Sequence, residues 1–269
     1  MTDRLFLRSE NGEYCRGITI EPPGKAVATV LFIHGTGNDL IYPSISLYKH
    51  LFMQNIRVCA FDLDGHGYQG TTLYSQQGVQ NFVAWAVQQT SEVSTDPIFI
   101  IGHSLGGSLA LAYAAETGER LTGLILISTP ITLAASVFSL IGELTSFIRS
   151  SVWQERKIYG SWDFLPAIGS FKRDFYPIRL KNPKVNYVRQ VDETIKSLNL
   201  INELDSISNR VLLIYGTGDF IVNKSDAILI RDRVEKSELV LIDGATHFST
   251  ILEAEVPEKV SSFIKANIK

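Results

Sequence analysis

The sequence predicts an α/β fold, a mostly parallel central sheet flanked by helices. Three observations point to it. Six short apolar runs alternate with longer amphipathic stretches along the chain. Each run is nearly continuous in apolar character, as in strands buried on both faces. Each run also ends at turn-forming residues, and the resulting order β-α-β-α favours parallel strands joined by right-handed crossovers.

The elements follow in order. Leu5 to Arg8 and Tyr14 to Ile20 flank Asn11-Gly12, a hairpin signal, and predict an antiparallel edge. Ala28 to Ile33 is the first long apolar run and stops at His34-Gly35. A helix is expected over Ser44 to Gln54, then a strand over Ile56 to Phe61 that stops at Asp62. Gln76 to Thr90 reads as a helix, Ile98 to Ile101 as a strand and Gly106 to Gly118 as a small-residue helix. The strand Leu124 to Ile127 ends at Ser128-Thr129-Pro130. From Ile131 to about Asn202 no strand is evident, and Val152 to Pro183 within it is rich in Trp, Phe, Tyr and Pro. It reads as a largely helical insertion over one end of the sheet. The rhythm then resumes with Val211 to Tyr215, a helix over Ser225 to Val234, the strand Leu239 to Ile242 and a helix over Glu255 to Ala266.

Composition narrows the function classes. A chain of 269 residues, 45% hydrophobic and 20% charged, can build a large core without disulfide or metal staples. A net charge of −3 gives no reason to expect nucleic acid. Cys15 and Cys59 belong to no CxxC or Cys/His cluster, so neither a zinc nor a redox site is indicated. The N-terminus lacks a signal peptide's apolar segment, and no apolar run approaches the ~20 residues of a membrane span. These features lead to the expectation of a cytoplasmic protein with no indicated membrane association and no cofactor. Oligomeric state is not readable.

The strongest chemical signal is Gly102-His103-Ser104-Leu105-Gly106-Gly107, which fits G-x-S-x-G between a strand and a helix. Glycines at 102 and 106 let strand and helix approach closely, so the turn lifts the Ser104 hydroxyl above the sheet. The following helix aims its partly positive N-terminus at any oxyanion formed there. A serine hydroxyl is a weak nucleophile and needs a base. Among five histidines, His50 lies in a helix, His103 lies inside the elbow, and His34 and His66 lie in other loops. His247 follows the last strand, at the same sheet end as Ser104, and is the candidate base. Asp219, in Gly216-Thr217-Gly218-Asp219, is the candidate acid, ranked ahead of Asp243 and Asp226. A helix-capping aspartate is the structural alternative for Asp219.

The order Ser, Asp, His is that of the α/β-hydrolase fold. The chain resembles the α/β-hydrolase superfamily, in the serine esterase/lipase branch that includes monoacylglycerol lipases. The resemblance rests on His34-Gly35, Asp62-Leu63-Asp64-Gly65-His66-Gly67, the Gly102 to Gly107 elbow, Gly216 to Asp219 and His247-Phe248. It departs at Asp64, where relatives often carry arginine. It implies a core of 1–130 and 203–269 and a cap or lid of 131–202. It also implies an oxyanion hole made by the backbone N–H groups of Thr36 and Leu105, each donor contributing ~2.7–4 kcal/mol to transition-state stabilisation. The expected reaction is two-step acyl transfer from a small-molecule ester, with His247 neutral as base. Cap residues such as Trp153, Trp162, Phe164 and Phe175 suit a medium or long acyl chain. An acyltransferase or thioesterase with the same triad, or a ligand receptor on a hydrolase scaffold, are the alternatives.

Overall fold

In the computed structural model, the described residues are 1–8, 13–36, 38–41, 44–64, 66, 76–117, 120–132 and 187–268. Eight strands form one sheet in the order β1-β2-β4-β3-β5-β6-β7-β8. They are β1 (Thr2–Arg8), β2 (Glu13–Ile20), β3 (Ala28–Ile33), β4 (Ile56–Phe61), β5 (Ile98–His103), β6 (Gly123–Ile127), β7 (Arg210–Gly216) and β8 (Ser237–Ile242). The described helices are α1 (Ile45–Met53), α2 (Gln76–Val93), α3 (Leu105–Thr117), α4 (Tyr187–Ser197), α5 (Leu200–Glu203), α6 (Lys224–Arg233) and α7 (Val256–Ala266).

Strands β3 to β8 are parallel, and β1 and β2 form the antiparallel edge. Alternation within each strand splits the core into two layers. Leu31 and Ile33 of β3 belong to one core layer with Val79, Phe82 and Val83 of α2, Leu109 of α3 and Ile230 of α6. Val30 and Phe32 point the other way, to Leu47, Tyr48 and Leu51 of α1 and Val260 and Phe263 of α7. Helices on both faces explain why β3, β5 and β6 are buried throughout and read as unbroken apolar runs.

The last strand differs from expectation. β8 pairs only with β7 at the sheet edge, and of its six residues only Ile242 is buried. Its apolar run reflects β-propensity more than enclosure. The insertion expected over 131–202 lies largely outside the described residues. Its two described ends are Ile131-Thr132 and the stretch from α4 onward. Val191 and Ile195 of α4 and Leu200 of α5 join the core layer of α2 and α3.

The strand order fixes where a site can form. The chain passes from β3 outward to β4, then returns to place β5 on the opposite side of β3. Crossover connections therefore diverge between β3 and β5. In open α/β sheets that divergence leaves a crevice at the carboxyl ends of the strands.

Candidate active site

Three loops at the carboxyl ends of β5, β7 and β8 bring Ser104, Asp219 and His247 together. The Ser104 hydroxyl lies 2.9 Å from His247 Nε2. His247 Nδ1 lies 3.0 Å from Asp219 Oδ2. With Nδ1–H donating to the carboxylate, Nε2 is left to accept from the serine hydroxyl. Thr36 follows β3, the strand beside β5, and so flanks the nucleophile.

The elbow has the strain its position demands. Ser104 sits at φ 52, a region most non-glycine residues avoid. Its N–H donates to the Ile127 carbonyl at 3.0 Å, and its own carbonyl accepts from Gly107 and Ser108, which starts α3 at once. Only a glycine fits at 106, because any Cβ there would collide with the carbonyl oxygen of Ile33. Leu105 is the first residue of α3, so its N–H has no intrahelical acceptor.

The acid and base loops are laced to each other. Gly218 N–H donates to the Ala245 carbonyl at 2.9 Å, and Gly244 N–H donates to the Thr217 hydroxyl at 2.8 Å. Thr217 in turn donates to Asp243 at 3.1 Å. Asp243 is thereby engaged in the turn rather than with the imidazole. Asp219 Oδ1 accepts from the N–H groups of Ile221 and Val222 at 2.9 and 2.8 Å, while Oδ2 faces His247. The aspartate thus serves both the loop and the imidazole. Burial pushes the Asp219 carboxyl up, but the facing imidazole and the two amides outweigh it and hold it below its ordinary value. The imidazole is enclosed, with the Phe248 ring edge-on at 5.3 Å.

The other histidines have separate work. His34 Nδ1–H donates to the Gly35 carbonyl at 2.8 Å, and its Nε2 accepts from the Leu63 N–H at 2.9 Å. Burial is the main reason its pKa drops to about 4. Its 4.0 Å approach to Asp62 is therefore not an ion pair at neutral pH. Asp62 instead accepts from the Leu40 N–H at 2.8 Å. His66 donates to the Asp64 carbonyl and stacks edge-on against His34. His103 reaches the His247 carbonyl, not Ser104, through Nε2 at 3.4 Å. His50, on α1, meets Ser261 of α7 at 2.9 Å.

Two contributors are not evident in the sequence. Asp62 anchors the β3–α1 loop from the end of β4. Asp226 of α6 is buried and accepts from the N–H groups of Ile131 and Thr132, both at 3.0 Å, and from the Thr132 hydroxyl. Tyr215 O–H donates to the Thr129 carbonyl and Ser108 O–H to that of Pro130. Side chains of β7, α3 and α6 thus pin the chain over residues 129–132. Only an aspartate after a strand hinted at Asp62. Asp226 was weighed only as a candidate acid, and nothing local marked its anchoring role, because its partners lie 94 and 95 positions away.

Among the described residues, no group of His, Cys, Asp and Glu is arranged to hold a metal, and no helix is long and apolar enough to cross a membrane. The family model Hydrolase_4, described as serine aminopeptidase S33, matches residues 24–254. Human monoglyceride lipase is 25% identical over 284 aligned positions, covering 97% of this chain and 87% of that protein. A carboxyl esterase from Bacillus coagulans superposes with a TM-score of 0.71 at 18% identity, covering 100% of this chain and 99% of the other. A soluble variant of monoglyceride lipase from Saccharomyces cerevisiae, solved with a substrate analog, also gives 0.71, at 19% identity, covering 99% and 94%.

Proposed function

Because the chain belongs to the serine aminopeptidase S33 family of α/β hydrolases, we propose that it is a serine hydrolase of carboxylic esters with Ser104, His247 and Asp219 as its triad. The family's description names a peptidase, but the relatives aligned along 97% of this chain are monoglyceride lipases. That favours an ester over a peptide as substrate. The observation that carries the reading is the continuous Ser104–His247–Asp219 hydrogen-bond chain, at 2.9 and 3.0 Å.

Each step follows from that chain. As Ser104 Oγ bonds to the acyl carbon, its proton passes to His247 Nε2 and the carbonyl π pair moves onto oxygen. The N–H groups of Thr36 and Leu105 receive the oxyanion. Asp219 stabilises the imidazolium without taking its proton. Collapse expels the alcohol, which takes the proton from Nε2. Water then repeats the sequence on the acyl-enzyme and frees the acid. No step calls for a metal or organic cofactor.

Residues 131–202, largely outside the described residues, are proposed as a cap, and their Trp and Phe content suits a medium or long acyl chain. Hydrolysis of p-nitrophenyl esters of graded length, wild type beside Ser104→Ala, tests the reading. Turnover by the wild type should fall by about 10⁴-fold or more in the variant. The preferred chain length sizes the acyl pocket. Equal turnover by both proteins would remove Ser104 from the mechanism.

A further inference from the structure

Buried polar atoms almost always have partners, and a conspicuous exception beside a reactive serine calls for an occupant. Two such atoms lie on the loop after β3. Among the described residues, Thr36 Oγ1 and Asn38 Nδ2 are enclosed and without a hydrogen-bond partner. Asn38 is only 5% exposed, so water outside the protein does not serve it.

The backbone puts Asn38 close to the nucleophile. Its N–H donates to the Gly35 carbonyl at 3.3 Å, closing a turn that starts at Gly35. A closed turn of this kind keeps its first and last Cα atoms within about 7 Å. Gly35 itself lies against the elbow, since a Cβ added there would be 2.8 Å from Ser104 Cβ and 3.1 Å from the His103 carbonyl. The turn therefore keeps the Asn38 backbone close to the elbow. Inside the turn, the Thr36 N–H is not consumed by the closing bond.

The chemistry of the unpaired group selects its ligand. Nδ2 is a pure donor, neutral at every working pH, and its natural partner is an oxygen gaining negative charge. Such an oxygen forms here only during acyl transfer. A donor fixed in place beforehand needs no reorganisation when that charge appears. We propose that the Asn38 side-chain amide is a third donor to the oxyanion, beside the N–H groups of Thr36 and Leu105. This rests on the reading of Ser104 as the acyl-accepting nucleophile. The competing account is a buried water shared between Asn38 and His103 Nδ1, an unpartnered atom 3.0 Å from that same added Cβ.

The test uses the full chain with Asn38→Leu and Asn38→Asp, which keep similar shape and remove the donor. An alkyl fluorophosphonate reports on the site directly. Ser104 Oγ bonds to phosphorus, fluoride leaves, the proton passes to His247, and the phosphoryl oxygen occupies the oxyanion position. For both variants the phosphonylation rate and kcat for p-nitrophenyl butyrate should fall together by about 10²-fold or more. KM should stay within about threefold, because the interaction strengthens only in the transition state. The urea midpoint monitors folding. If Leu misfolds, Asp carries the test alone.

Rates within about threefold of wild type in a folded variant would overturn the proposal in favour of the water. A rise in KM at constant kcat would overturn it too, by assigning Asn38 to ground-state binding. Wild type and Ser104→Ala labelled equally, or wild type not labelled at all, would instead refute the nucleophile reading, which is a separate failure.

Discussion

At Ser104 the requirements of folding and chemistry conflict. Its φ of 52 places a Cβ-bearing residue in the left-handed region, at a penalty of about 1–2 kcal/mol. On the proposed mechanism, activity needs the hydroxyl there; stability does not. Ser104→Gly and Ser104→Ala both remove the hydroxyl, so their difference isolates the backbone. Urea titration should find the glycine variant more stable by about 0.5–1 kcal/mol, reversing the usual order of these residues. A more stable alanine variant would mean that the elbow carries no such strain. At this scale much was legible. The elbow's glycines and the Ser, Asp, His order identified which side chains the fold brings together. Asn38 was not legible, because a missing partner can be seen only once every neighbour is in place.

Among the elements, the anchoring of Ile131 and Thr132 by α6 has the clearest energetic signature. Burial raises the Asp226 carboxyl above its ordinary value, and the amides and hydroxyl of residues 131 and 132 counter that only in part. Asp226→Ala would strand the enclosed Ile131 N–H and remove the acceptor of the Thr132 N–H, and should destabilise the protein by about 1–3 kcal/mol. Asp226→Asn keeps an oxygen for both amides and should stay within about 1 kcal/mol of wild type. Equal losses in chemical denaturation would show that the charge, not the acceptor geometry, matters. The strands between their turns were legible because parallel strands covered by helices must be apolar on both faces. Strand β8 reads the same way in sequence but is exposed, since pairing at an edge and burial in a centre use similar residues. The Asp226 anchor joins residues about 95 positions apart, and no local pattern encodes such a contact.

For the whole molecule, the lowered pKa values of His34, His66 and His103 make stability depend on pH. Burial, above all, lowers the pKa of His34 to about 4 and of His66 and His103 to about 3, from an ordinary 6.5. The unfolded chain takes up these protons below pH 6.5 while the folded chain does not. Their share of stability is therefore complete above pH 6.5 and declines as pH falls towards 4 and then 3. Near pH 5 each histidine should contribute a slope approaching about 1.4 kcal/mol per pH unit. Asp219 adds to the loss as pH falls through the ordinary carboxylate range and below it, because its folded carboxyl is held low. Urea unfolding at pH 7.5, 6 and 5 measures the slope, and His66→Gln should remove one proton's worth of it. A flat profile between pH 7 and 5 would mean that these rings are hydrated in the folded state. The layout of the sheet also sets an order in time. Ser104 precedes its hydrogen-bond partner His247 by 143 residues, and His247 arrives on the loop after the last strand. At translation rates of about 5–20 residues per second, roughly 7–29 s separate the two on the ribosome. Throughout that interval the nascent chain carries an elbow without its proposed proton acceptor, so on that mechanism the serine becomes reactive only once the sheet is complete.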